Sequence, residues 1–587
     1  MLHQVDDASS REQEPPAALS RLLAVMAVIL LPALPALATM PLATSPAWQS
    51  APDGHYATGG AWVDVDSDGW LDMVVSNGND MARQHLVIYH NNGDGTFPEH
   101  PTWSSDDVDY HGHLDIGDLN NDGLPDVAVA VYIGPAGFSE PGRVKVYLNN
   151  GVGAFSSAPD WTPAEDFYCF SVALGDVDGD GDLDLACACG DDYNNHAERQ
   201  RIYYNDNGVL EAMPSWCSDE IAYALDVFWG DIEEDGDMDV VFCGTSTPMR
   251  VYLNEQTTGG SLSTSASWES GDLPQFGNTT ALGDWNGDGF PEIAVADNNQ
   301  LGGPGRFKVY ANVGGSLGSI PAWTSSNGGY GSHVSWIDAD LDGDPDLAAG
   351  RWWGTARIFE NLGGELTTTP VWTSATTSVI ENMFWGDIDN DALYANGQTI
   401  ASGDGSRTFF YLGRAPVRQV DEILVGSTPL PATAYTSHPT NGWVSVATPP
   451  PPGSNNVEIL FSYSIDLDLG ITNWDSSVGN YLFLSSASMD VPGGLGAAKA
   501  LCAFPNPALE RTWIRYQGQP IPAATLMVYD ATGRLVRALH DGPISQSLLI
   551  WEWDRRDDQG RRLEAGVYFG IMAAGEVSQT LRLVLLQ

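Results

Sequence analysis

One short stretch limits the fold more than any other. Asp176-Val177-Asp178-Gly179-Asp180-Gly181-Asp182-Leu183-Asp184 carries carboxylates at positions 1, 3, 5 and 9 of a nine-residue loop, and glycine at position 6. The alternation turns several oxygens to one side of a tight turn, and the glycine admits the positive φ of a chain reversal. Oxygens converging on one point suit a hard cation with six to eight oxygen ligands, which is calcium's habit. Related loops contain Asp64, Asp66, Asp68 and Asp72; Asp118, Asn120, Asp122 and Asp126; Asp231, Glu233, Asp235 and Asp239; Asp284, Asn286, Asp288 and Glu292; and Asp338, Asp340, Asp342 and Asp346. A seventh begins Asp387, Asp389, Asp391 and breaks at Ala392, where the others have glycine. Successive starts lie 54, 58, 55, 53, 54 and 49 residues apart. A near-fixed period of this size marks a repeat architecture.

The loops are not EF-hands, which need a bidentate Glu at position 12 and flanking helices. Position 12 here is Val75, Val129, Cys187, Phe242, Val295 or Ala349, within short apolar runs that read as buried strands. Each loop therefore joins two strands. A second repeat adds two more per unit. Tyr89, Tyr147, Tyr203, Tyr252, Tyr310 and Phe359 mark one strand; Trp48, Trp103, Trp161, Trp216, Trp268, Trp323 and Trp372 mark the other. Four-strand units repeated every ~50 residues are the blades of a β-propeller, which protects its edges by radial repetition. A residue recurring at one place in every blade is read as packing, so neither aromatic row is assigned to ligand. The apolar residues two before each loop (Trp62, Ile116, Leu174, Trp229, Leu282, Trp336 and Trp385) are read as core.

After Asp391 the pattern lapses and returns at Asp466-Leu467-Asp468-Leu469-Gly470, followed by Tyr481-Leu482-Phe483. Blade seven is thus read as split by an insertion over residues 393–464, with Asp468 as the displaced position-9 carboxylate and Trp48 supplying the outer strand that closes the ring. The insertion has strand signals of its own. The expected chain is all-β: a seven-bladed propeller over 39–484 with a small β insertion in blade seven, a linker at 485–500, and an Ig-like β-sandwich over 501–587. In the last segment short alternating strands and frequent turns carry the reading.

Lys and Arg total 25 against 77 Asp and Glu, a net charge of −52. Nucleic acid and anionic membrane surfaces are poor partners for such a surface. Bound calcium would offset part of the charge. Leu22 to Ala38 is an apolar run after Arg21 that ends Ala36-Leu37-Ala38, so residues 1–38 read as a secretory signal peptide, with no span left after cleavage. Six cysteines are too few and too clustered to frame 587 residues, and buried free thiols are the plainer reading.

The loops, each between strands of a ~55-residue unit, resemble the FG-GAP/VCBS repeats of the integrin alpha-chain head. The resemblance spans residues 45–485. It implies a seven-bladed propeller with several calcium ions in its hairpin loops, used for adhesion or ligand binding; Glu233, and Asn286 with Glu292, imply weaker sites. The tail resembles FlgD-like, type IX-type C-terminal sorting domains through Phe504-Pro505-Asn506-Pro507, Val528-Tyr529-Asp530-Ala531-Thr532-Gly533 and Gly566-Val567-Tyr568. That implies export and attachment at a bacterial surface, although the close Leu583-Val584-Leu585-Leu586-Gln587 lacks the basic end common there.

The expected function is a secreted or cell-surface calcium-binding protein with an extracellular protein or carbohydrate ligand, handled by export machinery through its tail. No catalytic and no organic-cofactor residue is assigned. The rival is a polysaccharide-acting lyase or glycosidase, for which His111, His113 and His333 before loops two and six are the candidates. A surface-layer scaffold is the third reading.

Overall fold

The computed structural model describes residues 40–258, 261–272, 276–300, 305–390, 394–485, 501–504, 511–517, 521–530, 534–544, 548–574 and 577–585. Residues 1–38, read above as a signal peptide, Asp391, most of the segment read as a linker and the Pro505-Asn506-Pro507 motif lie outside them. The described chain is all-β, with only two single 3-10 turns, at Gln256–Thr258 and Ala432–Ala434. No described helix is long and apolar enough to cross a membrane.

Seven small antiparallel sheets begin with the strands Ala57–Val63, Tyr110–Gly117, Cys169–Gly175, Ala224–Gly230, Gly277–Gly283, Gly331–Ile337 and Ile380–Gly386. Each first strand packs against the first strand of the next sheet, and the seventh packs back on the first. This is a propeller-like arrangement. The second strands, such as Asp72–Asn77 and Asp184–Cys189, are buried along their whole length. That accounts for their apolar runs, since both faces of each meet protein. Six of the sheets have four strands; in the second, the fourth shrinks to one bridge between Val146 and Trp161.

The seventh sheet is assembled from distant segments. Ile380–Gly386 pairs with Asp468–Asn473, which pairs with Tyr481–Phe483. The outer place is taken by Trp48–Gln49, with Trp48 opposite Leu482. The tryptophans tie neighbours together. Trp48 Nε1 donates to Phe97 O at 3.0 Å, Trp161 Nε1 to Leu210 O at 3.2 Å, and Trp372 Nε1 to Leu42 O at 2.9 Å. Their rings meet the tyrosine row of the following unit edge-on, as Trp161 does Tyr203 and Trp216 does Tyr252. This row packs between blades.

Residues 394–464 form a module of two sheets. One orders Tyr394–Gly403, Gly453–Ser464, Gln419–Val425 and Thr428–Pro429; the other Phe409–Tyr411, Trp443–Val446 and Tyr435–His438. Phe410, Val444 and Val446 of the second sheet pack on Ile423, Ile459 and Phe461 of the first. Beyond the linker, Leu501–Phe504, Thr512–Gln517 and Leu548–Trp553 form a three-stranded sheet. Leu535–Ile544, Ile521–Asp530, Gly566–Ala574 and Val577–Leu585 form a four-stranded one. Ile514, Tyr516 and Trp553 share a core with Leu526, Val528 and Met572. Among the described residues the cysteines Cys169, Cys187, Cys189, Cys217 and Cys243 are free thiols, and all but Cys217 are buried.

Candidate metal loops and the module above them

Position 9 is the anchor of every loop. Its two oxygens accept two backbone N–H groups, one from position 2 of the same loop and one from the end of the third strand. In loop one Val65 N donates to Asp72 Oδ2 at 3.1 Å and Asn91 N to Asp72 Oδ1 at 2.8 Å. In loop three Val177 N and Asn205 N reach Asp184 at 2.9 and 2.8 Å. The split loop repeats this across the insertion, with Ile388 N and Ser485 N on Asp468 at 2.9 and 2.7 Å. Asp126, Asp239, Glu292 and Asp346 hold the same place: position 2 donates at 3.0, 2.7, 3.1 and 3.1 Å.

Position 1 closes the turn. Asp64 accepts from Asp68 N at 3.0 Å and Gly69 N at 2.9 Å; Asp118 accepts from Asp122 N and Gly123 N at 3.0 and 2.8 Å. Asp176, Asp231 and Asp284 do likewise. The position-5 carboxylate caps the N–H two residues on, as Asp122 does for Leu124 at 2.9 Å and Asp288 for Phe290 at 3.1 Å. Position 6 is left-handed: φ is +91° at Gly69, +97° at Gly181 and +95° at Gly236. Position 4 is left-handed as well, including Ser67, Asn121, Glu234 and Leu341, so only position 6 of the pair is held to glycine.

These turns gather carboxylates. Asp64, Asp66 and Asp72 each place an oxygen within 4.8 Å of the others; so do Asp176, Asp178 and Asp184, Asp387, Asp389 and Asp468, and Asp338, Asp340 and Asp342. Loops one, three and seven thus converge through positions 1, 3 and 9, with Asp68 and Asp180 outside the trio. Loop six converges through positions 1, 3 and 5, with Asp346 outside. Loops two, four and five form no such acidic trio. Asn120 and Asn286 stand in for a carboxylate in two of them, and in loop four Glu233 hydrogen-bonds Asp239.

Burial drives the acids upward. It is the largest cause for Asp126 and Asp176, each raised to about 7, and for Asp346, raised to about 9. Asp468 rises to about 8 by burial, with Asp466 and Asp389 adding repulsion. Buried Asp178 Oδ1 and Asp338 Oδ1 have no hydrogen-bond partner. Buried like charges with orphaned oxygens are costly alone and suit a hard divalent cation. The donor set fits calcium.

The asparagine row was not singled out in the sequence. Asn149 Nδ2 donates to Val65 O of the preceding loop at 2.9 Å, Asn205 Nδ2 to Leu119 O at 2.9 Å and Asn254 Nδ2 to Val177 O at 2.8 Å. Asn312 and Asn361 continue the series, and Asn91 reaches Ile388 O at 3.1 Å. One asparagine thus joins its own loop, through its N–H, to the neighbour's loop, through its amide. The signal was present: each lies two residues after the Tyr/Phe row. The seventh sheet has Ser485 there, which carries no amide to donate.

The histidines lie on first strands. His113 is 4% exposed, with Nδ1 3.7 Å from Asp226 and Nε2 3.9 Å from Glu381. Glu381 is fully buried and raised by burial to about 7. Burial lowers His333 to about 3, with His113 adding to it, and lowers His111, whose Nδ1 lies 3.0 Å from Asn77 O.

The inserted module sits on the loops. Thr408 N and Phe409 N donate to Gly236 O at 3.1 and 3.0 Å, and Asp231 N donates to Tyr411 Oη at 3.0 Å. Arg414 Nη1 donates to Asp338 Oδ2 at 2.8 Å, and His438 Nε2 lies 3.1 Å from Asp115 Oδ1. Between the module and loops four to six is a cavity of about 810 Å³.

FG-GAP-like repeats match the chain at residues 47–129, 131–187, 235–295 and 284–349. No curated protein matches it. Among solved structures, a crystal structure of BBS1N in complex with ARL6DN, soaked with lead, is similar at 12% identity and a TM-score of 0.39, covering 58% of this chain and 89% of that one. The mercury-soaked form of the same complex is similar at 10% identity and 0.39, covering 76% and 97%. The chain carries FG-GAP-like repeats on a propeller-like, all-β framework.

Proposed function

We propose that this is a secreted, bacterial cell-surface, calcium-binding propeller of seven blades that binds an extracellular protein or carbohydrate ligand. Its C-terminal sheets are an Ig-like domain that serves export and attachment. The observation that carries the calcium reading is the convergence of Asp387, Asp389 and Asp468, acids up to 81 residues apart that reproduce the geometry of the continuous loops. Asp64, Asp66 and Asp72, and their counterparts in the other loops, would hold the ions. The ion supplies positive charge where buried carboxylates repel, and so stiffens the hairpin. Position 9 orients the loop from below through its two N–H bonds.

The test is thermal unfolding of the full chain with calcium and with chelator, counting bound metal in the same samples. The expected result is several ions per chain and a midpoint drop of roughly 10 °C or more on chelation, because ligands bound only by the native state stabilise it by mass action. No bound metal and an unmoved midpoint would reduce the loops to turns.

A polysaccharide-acting enzyme is the second reading, favoured by His113 between Asp226 and Glu381. It predicts turnover on a polysaccharide panel that disappears in His113→Ala.

A further inference from the structure

Loop six departs from its relatives at position 1. In loops one to five the position-5 N–H donates to Oδ1 of the position-1 aspartate at 3.0–3.1 Å, and the position-6 N–H to Oδ2 at 2.8–2.9 Å. In loop six Asp342 N donates to Asp340 Oδ1 at 3.1 Å, and Gly343 N reaches Asp338 Oδ2 at 3.2 Å. Asp338 Oδ1, itself buried, has no hydrogen-bond partner. The same loop gathers positions 1, 3 and 5, where loops one, three and seven gather 1, 3 and 9.

An arginine of the module stands at the displaced carboxylate. Arg414 Nη1 donates to Asp338 Oδ2 at 2.8 Å, the oxygen that Gly343 N also reaches. The guanidinium rests 4.5 Å from the Tyr463 ring centre, so the module holds it from behind. Cover alone does not produce the change. Loop three lies under the module too, with Thr408 against Gly179 and Ala447 against Gly181. It keeps both position-1 bonds and its 1, 3, 9 trio. A hydroxyl and a methyl touch loop three; a cation touches loop six.

The guanidinium keeps its charge at any working pH. Arg414 and a cation in the loop would require the same carboxylate, and two positive charges side by side repel. Each therefore weakens the other's hold on Asp338, and by the same factor. Arg414 has room to withdraw. Its side chain is 31% exposed, and with Asp338 it lines the cavity of about 810 Å³ beneath the module. We propose that Arg414 is a built-in counter-ion that competes with calcium for Asp338, so that loop six takes up calcium by releasing this clamp of the module. The inference rests on the calcium reading of the loops.

The test is hydrogen exchange of the full chain, stripped with chelator and titrated with calcium, with the loop peptides followed separately. Arg414→Gln should lower the calcium concentration that half-protects loop six tenfold or more, and leave loops one and three where they are. Arg534→Gln, which removes the same charge from the tail, should move none of them. Should Arg414→Gln fail to fold, Arg414→Lys decides: it keeps the charge, loses the planar fork, and should give a smaller shift in the same direction. Loops one and three protected by calcium, with loop six unmoved by the substitution, overturns this inference alone. So does a shift to higher calcium, the result of losing a merely structural contact. Protection of no loop in either protein overturns the calcium reading and this inference with it.

Discussion

Loops one and three share one nine-residue pattern and live in different surroundings. At loop one, Asp64 is half-buried and a Cβ on Gly69 would meet nothing within 4 Å. At loop three, Asp176 is 2% exposed, and a Cβ on Gly181 would stand 2.7 Å from the Ala447 side chain of the module. Loop four is similarly covered, by Arg407 over Gly236, whereas loops two and six are open at Gly123 and Gly343. The pattern fixes the turn; the cover decides how much the acids lose by being charged. Burial raises Asp64 and takes Asp176 to about 7. A bound cation would therefore relieve more repulsion under the module than beside it.

The largest effect should be indifferent to cover. Asp184→Ala and Asp126→Ala each orphan two buried N–H groups, at an expected cost of about 2–5 kcal/mol and one bound ion per chain. Denaturant unfolding with metal counting checks this. A large gap between the two would mean that cover reaches even position 9.

Glu381 provides the reference for burial without a candidate cation. Its folded pKa is raised from 4.5 to about 7 by burial, against the pull of His113 and the Trp352 hydrogen bond and with Asp80 adding to the rise. The folded form therefore binds more protons between those values, and stability falls as pH rises from 4.5 through about 7. Glu381→Gln should remove that fall, gaining on the order of 3 kcal/mol at pH 8 relative to pH 4. Equal pH dependence in the two proteins would assign the loss elsewhere.

Cover itself is tested at the glycines. Gly123→Ala, at φ +85°, should cost about 1–2 kcal/mol for its backbone alone. Gly181→Ala, at φ +97°, adds overlap with Ala447 and should cost about 1–3 kcal/mol more. Equal costs would mean that the module yields freely.

The smallest effects concern the asparagine ties. Asn205→Ala should cost about 1–2 kcal/mol by leaving Leu119 O and Leu183 O without their amide donor, and Ser485→Asn should gain about 0.5–1 kcal/mol where blade seven lacks the tie. Chemical denaturation is sufficient for both.

What could be read from the chain follows from the range of each interaction. The loops were legible because metal-type chemistry repeats the same side chains at the same offsets. Asp468 could be placed because the apolar run Leu469-Gly470-Ile471 resumes the repeat that lapses after Asp391. The asparagine row was equally periodic, but its role is a contact between neighbours, visible only once Asn149 is seen beside Val65. The seat of the module was not legible at all. Thr408 and Gly236, or Arg414 and Asp338, share no local signature, and nothing in their order in the chain brings them together. The inserted strands Tyr394–Gly403 and Tyr435–His438 carry little alternation of their own, because glycine and polar residues mask it.

The pairing of Trp48 with Leu482 has a consequence in time. Trp48–Gln49 must wait for Tyr481–Phe483 before the seventh sheet has its outer strand, a loop closure over more than 400 residues. Long-range closures are slow, and the intermediates before them expose unpaired strands. Six sheets can form from local hairpins as the chain emerges, while the circle stays open until nearly the whole of it is available. A chain cut short between the sixth sheet and that strand keeps six sheets and lacks the pairing that ties its two ends together.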